Sequence, residues 1–149
     1  MVATLFEDIF TVTEINPEGK IFNNVDRIVA KGNQFEKTMV LDVNSQIYHI
    51  DVKDKLKIVL VSTINLDGTP DSGYYLQGNR KSLADDYEYV MQGKLYRIPE
   101  GNSRDELRLI VSFGGLLMEL SADSSIAAKF ELDQRLFILI RKIKTNSLY

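Results

Sequence analysis

The sequence predicts a small all-β domain, an antiparallel barrel with a long internal loop and little helix. Three observations in its 149 residues point there. Segment after segment alternates apolar and polar residues with a period of two, as a strand with one buried face requires. Two of these segments change phase at glycine, which moves the apolar side chains to the other face and marks a bulge or sharp bend. Only one short stretch has helical spacing. Strands that bend to serve both sides of a core are what a small closed barrel needs.

The elements follow in chain order. Early strands are expected over about residues 5–13 and 25–30. Met39, Leu41 and Val43 then alternate with Thr38, Val40, Asp42 and Asn44. Leu56, Ile58 and Leu60 lie opposite Lys55 and Lys57, after which Val59 and Val61 make both faces apolar. Odd positions are apolar from Tyr87 through Tyr89, Met91 and Leu95, and beyond Gly93 the apolar side shifts to Tyr96 and Ile98. Leu107, Leu109, Val111 and Phe113 are odd, whereas Leu116, Met118 and Leu120, after Gly114-Gly115, are even. Leu136, Ile138 and Ile140 share one face with Phe137 and Leu139 on the other, the mark of a central strand. The best helix is residues 124–130, with Asp123 as N-cap and Ile126 and Phe130 four apart.

Turn signals fall at Asn16-Pro17-Glu18-Gly19, Lys31-Gly32-Asn33, Asp67-Gly68 and Glu100-Gly101-Asn102. The longest strand-free stretch, residues 65–86, is rich in Gly, Asp and Ser and is expected to be the most mobile internal segment. No linker or repeat divides the chain, so residues 1–144 read as one domain and 145–149 as a loose tail. The expected core includes Met39, Leu41, Val43, Ile58, Leu60, Leu136 and Ile138.

Composition narrows the function classes. Hydrophobic residues make up 44% and charged residues 26%, which is ordinary globular usage. Cysteine is absent, so disulfides are impossible and thiolate zinc sites are excluded. Glu7 and Asp8 stand where a signal peptide would be basic and then apolar, and no apolar run approaches a membrane span. An intracellular soluble chain is expected. The net charge of −3 lacks the basic surplus of a free-standing nucleic-acid binder.

Catalytic patterns are missing. His49 is the single histidine and reads as a structural residue between Tyr48 and Ile50. Gly68 and Gly73 have P-loop glycine spacing, but Tyr74-Tyr75 follow where Lys and Ser/Thr are needed. Carboxylates cluster at Glu7-Asp8, Asp67/Asp71 and Asp85-Asp86-Glu88 and read as solvated surface; Glu7 and Asp8, adjacent on a strand, face opposite sides. No catalytic residue, cofactor or metal ligand is assigned. One alternative rests on aromatics. Tyr74, Tyr75, Tyr87, Tyr89 and Tyr96, with Lys81, Lys94, Arg97 and Arg108 in the same half of the chain, suit base stacking in an independent single-strand-binding barrel.

Longer motifs carry a resemblance. Ser82-Leu83-Ala84-Asp85-Asp86-Tyr87-Glu88-Tyr89-Val90-Met91 followed by Gly93-Lys94-Leu95-Tyr96-Arg97-Ile98 resembles the small common subunit shared by the eukaryotic nuclear RNA polymerases I, II and III. Leu5-Phe6-Glu7-Asp8-Ile9-Phe10, Leu41-Asp42-Val43-Asn44, Val111-Ser112-Phe113-Gly114-Gly115-Leu116-Leu117-Met118 and Phe130-Glu131-Leu132-Asp133-Gln134-Arg135-Leu136-Phe137 are similar to it in the same order. The likeness covers about residues 5–142, with departures at Gln92 and Glu119.

The resemblance implies an oligonucleotide/oligosaccharide-binding-like barrel without activity of its own. It would dock on the outside of the largest polymerase subunit, support assembly and transcription, and reside in the nucleus, nucleolus included. Nucleic-acid contact would be weak or indirect, with no membrane and no small-molecule substrate. The expected interface is Tyr87, Tyr89, Met91, Gly93, Tyr96, Phe113, Gly114, Gly115, Leu117 and Met118, because both segments change phase at glycine and should show apolar atoms to solvent. That surface requires Tyr89 or Met118 to be exposed.

Overall fold

Period-two alternation is realised in eight strands. They are β1 (Thr4–Ile15), β2 (Val25–Gly32), β3 (Thr38–Asn44), β4 (Lys55–Val61), β5 (Tyr89–Arg97), β6 (Leu107–Phe113), β7 (Leu116–Ala122) and β8 (Arg135–Lys142). The structure, a computed structural model, describes residues 4–19, 23–33, 37–63, 83–97 and 107–143. Most of the expected 65–86 loop, with Tyr74, Tyr75, Asp67 and Asp71, lies outside the described residues, as do Ile98 and the 145–149 tail. The end of that loop, Leu83–Asp86, forms one 3₁₀ turn.

The strands close into a ring in the order β1-β2-β3-β7-β6-β5-β8-β4, and every pairing is antiparallel. The expected barrel is therefore a full eight-stranded one. Its order resolves into two Greek keys. β1, β2 and β3 form a meander and β4 returns beside β1; β5, β6 and β7 form another and β8 returns beside β5. The keys join along β3–β7 on one side and β4–β8 on the other.

One apolar cluster fills the ring, and all seven expected core residues are fully buried in it. Burying each large aliphatic side chain contributes about 1.5–3 kcal/mol. The two return connections add to the same cluster: residues 45–54 supply Tyr48 and Ile50, and residues 123–134 supply Ile126, Ala127 and Phe130. The second holds the helix α1 (Ser124–Ala127). Asp123 caps it as expected, its Oδ1 accepting the Ile126 N–H at 2.9 Å and the Ser125 hydroxyl at 2.7 Å. These donors hold the Asp123 carboxyl below the usual carboxylate range. The helix is shorter than expected. Beyond Ala127 the chain tightens into i→i+3 bonds, Lys129 N–H to the Ile126 carbonyl and Phe130 N–H to the Ala127 carbonyl.

The phase changes have different causes from those the alternation suggested. Between β6 and β7 no strand bends. Gly114 (φ +65°) and Gly115 (φ +103°) form a two-residue hairpin with left-handed backbone at both positions, and Phe113 pairs with Leu116. Odd residues of β6 therefore face even residues of β7, Val111 opposite Met118, and both point inward. In β5 the inward phase runs on through Gly93 to Leu95, which is buried. The slip comes later, at a bulge between Leu95 and Arg97 on the pairing with β6, and Tyr96 is the extra residue.

Gly93 serves a close approach instead. A Cβ there would lie 2.4 Å from Cδ1 of Phe113 and 2.5 Å from the Ser112 carbonyl oxygen, so the Phe113 ring occupies the space that a side chain would fill. Gly93→Ala is expected to lower unfolding free energy by about 1–3 kcal/mol, the range for overpacking, in denaturant titrations of the isolated chain. Unchanged stability would show that the Phe113 ring yields freely.

Candidate partner-docking face

A closed ring of strands presents no unpaired edge, so a partner cannot bind these strands by strand addition. Among the described residues this leaves outward side chains and the connections between strands. Three parts of the outer wall differ in how far they are already covered.

On β4 and β8 the outward residues Val59, Val61, Phe137 and Leu139 form a second, buried cluster, with Tyr87 packed against it. The Tyr87 ring lies 5.9 Å from both the Lys57 ammonium and the Arg141 guanidinium. On β2 and β3 the 16–19 turn stands over Val25, Arg27, Val29, Val40 and Asp42, leaving a cavity of about 240 Å³. Asn16 pins that turn: its side-chain amide donates to Asp26 and its side-chain oxygen accepts the Arg27 N–H, both at 2.9 Å.

The third part, the outer face of β5, β6 and β7, is open. Tyr96 is 49% exposed and Leu117 37%. The pairing register sets Lys94, Ser112 and Leu117 in one row across the three strands, with Ile110 and Glu119 in the next. The segment before β8 continues this face. Asp133 N–H donates to the Leu95 carbonyl at 2.7 Å and Leu95 N–H to the Gln134 carbonyl at 2.9 Å, which brings Leu132, 59% exposed, to the Tyr96 end of β5. Arg108 and Glu119 pair across the face at 3.3 Å with both side chains well exposed, an interaction worth at most about 1 kcal/mol.

The expected interface residues therefore separate. Tyr96, Leu117, Gly114 and Gly115 are exposed. Met91 and Gly93 are half-buried, Met91 against the core, and Tyr87 is engaged on the β4–β8 cluster. Tyr89 and Phe113 (each 5% exposed) and Met118 (0% exposed) belong to the core, so the condition that Tyr89 or Met118 be exposed is not met and the interface as expected from the sequence does not stand. The physical reason is the hairpin parity and the position of the bulge: both residues keep the inward phase of their strands. Leu132 was missed, since it stands in a turn without alternation; its mark was an apolar residue beside Asp133, which adopts φ +65°.

Among the described residues no group of three or more His, Cys, Asp or Glu is placed to hold a metal ion. His49 is exposed and pairs with Asp51 at 2.8 Å, outside any strand. Of the tyrosines considered for base stacking, Tyr89 is in the core and Tyr87 lies over the outer cluster, while Tyr74 and Tyr75 lie outside the described residues. Tyr96 is the exposed ring among the rest.

These features define a closed β-barrel with an open, mixed apolar and charged outer face. Comparison with known proteins agrees with the motifs at residues 82–98 and 111–118. The chain belongs to the RNA polymerase Rpb8 family, which it matches over residues 7–142. It is 50% identical to the DNA-directed RNA polymerases II, IV and V subunit 8B of Arabidopsis thaliana over 140 residues, covering 93% of this chain and 96% of that one. It is 40% identical to the Dictyostelium discoideum subunit rpabc3 of polymerases I, II and III, covering 95% and 99%. A Saccharomyces cerevisiae subunit RPABC3 is 40% identical, covering 83% and 88%.

Buried Tyr89 also takes part in a polar network. Its ring stacks on Tyr48 at 5.1 Å and its hydroxyl accepts the Asn44 N–H at 2.9 Å. The Tyr48 hydroxyl donates to Glu88 Oε1 at 2.5 Å, which also accepts the Lys142 N–H at 2.8 Å. Burial, then the bond to Glu88, push the Tyr48 hydroxyl well above the usual tyrosine range, and burial raises Tyr89. The folded state thus holds these protons more tightly than the unfolded chain does. Stability from this source is intact below about pH 10 and falls as pH rises from there toward the raised values. Tyr48→Phe is expected to cost about 1.5–3 kcal/mol at neutral pH. It should also flatten the alkaline loss of stability in denaturant titrations; an unaltered alkaline limb would contradict this assignment.

Proposed function

We propose that this chain is a non-catalytic structural subunit of the nuclear DNA-directed RNA polymerases, docking on the largest subunit through the outer face of β5–β7. Family membership supports the polymerase role. The observation that supports the docking face is the grouping of the exposed apolar side chains Tyr96, Leu117 and Leu132 on one face; the other exposed large apolar residues among those described are Val90 at the start of β5 and Ile47 and Val52 on the β3–β4 connection. Exposed apolar groups grouped on one face of a soluble domain favour a protein partner, and tyrosine is enriched in such interfaces. Lys94 and Arg135 on the same face supply a polar rim. Through the largest subunit the chain meets the remaining subunits, and residence in polymerase I adds the nucleolus to its locations.

Tyr96→Ala and Leu117→Ala should leave the melting temperature of the isolated chain nearly unchanged, because neither side chain is in the core. An interface hot spot among them should weaken association by about 2 kcal/mol or more, read as a fall of roughly thirtyfold in affinity. Normal co-purification of both variants with the largest subunit would contradict the docking face.

A further inference from the structure

The two seams that join the Greek keys are unequal. β4 and β8 share six paired positions, from Leu56–Lys142 to Val61–Phe137. β3 and β7 share three, from Met39–Leu120 to Leu41–Met118. Just beyond the last pair stand Asp42 on β3 and Leu117 on β7. There the contact passes from backbone to side chain: the Asp42 carboxylate accepts the Leu117 N–H at Oδ2, 3.1 Å away.

Asp42 occupies an outward position yet is buried. Arg27, directly opposite on β2, covers it, donating Nε–H to Oδ1 at 2.7 Å and Nη2–H to Oδ2 at 3.2 Å. A guanidinium fork of this kind fixes the plane of the carboxylate, which a lysine cannot do. The carboxylate is therefore gripped by β2 and itself grips β7 at the base of the 113–116 hairpin. Leu117 lies next to that hairpin in the docking row with Ser112 and Lys94.

We propose that Asp42, oriented by Arg27, is the positioning residue of the docking face: it sets the place of the β6–β7 hairpin and thereby the presentation of Leu117 to the polymerase partner. The inference rests on the docking reading given above. A merely stabilising role makes a different prediction. Removing one member of this pair, a buried carboxylate under a half-exposed guanidinium, leaves the other's charge uncompensated, whereas replacing both by apolar groups of similar size removes that cost and leaves only the Leu117 N–H without its acceptor. In the double variant Arg27→Met/Asp42→Leu, stability and positioning are thus separated.

The experiment compares that full-length double variant with the parent chain and with Leu117→Ala. Three quantities are read: melting temperature, amide exchange at Leu117 against that at Leu120, and co-purification with tagged polymerase. The expected result is a folded double variant with selectively faster exchange at Leu117 and a loss of association of about tenfold or more. Wild-type association despite the freed Leu117 amide, with Leu117→Ala impaired, overturns the inference and leaves the docking reading standing. Normal assembly of both Leu117→Ala and Tyr96→Ala overturns the docking reading and the inference with it. Should the double variant fail to fold, Arg27→Lys retains the charge and removes the fork. Faster Leu117 exchange with reduced association then supports the positioning role, and faster exchange with full association refutes it.

Discussion

Closure of the eight-strand ring is the constraint on which the rest of the molecule depends. Every strand has a hydrogen-bonded neighbour on both sides, though the β3–β7 pairing spans only three positions. In this ring each Greek key sends its fourth strand back beside its first. Both return connections are therefore long enough to carry apolar side chains, and both contribute them to the core. The same closure decides how the protein can associate. Without strand edges, recognition passes to the outer wall, where the β4–β8 segment is already covered and the β5–β7 segment is not.

Much of this fold was legible in the sequence because a strand with one wet face must alternate. Met39, Leu41 and Val43, or Leu136 and Ile138, have no other reading, and all are buried. Alternation alone does not say whether a change of phase lies within a strand or between two. Gly114-Gly115 is a turn, and its two residues reverse parity while keeping the same face inward. Gly93 looked like a pivot because the apolar pattern shifts nearby, but the pivot is the bulge at Tyr96. Those two misplacements moved Tyr89 and Met118 to the outside, although their spacing had put them in phase with the core.

Asp42 was hidden for a different reason. In Met39-Val40-Leu41-Asp42-Val43 it sits on the polar phase and reads as solvated. Its burial arises from Arg27, 15 residues earlier, and from the Leu117 amide, 75 residues later. Such contacts are a property of the ring and leave no local trace. Two ion pairs on this wall show why the distinction matters. Arg108–Glu119 is exposed and screened, and contributes little. Arg27–Asp42 encloses a buried carboxylate that accepts hydrogen bonds from two strands, so its geometry is held more firmly.

The central claim, that the chain meets its polymerase through the outer face of β5–β7, is tested most directly by side-chain labelling of the free chain and of the intact polymerase. The account predicts that Lys94 and Tyr96 react in the free chain and are shielded in the polymerase. His49 and Lys53, on the connection between β3 and β4, should react alike in both. Equal reactivity of Lys94 and Tyr96 in the two states, with shielding at His49 and Lys53 instead, would contradict it.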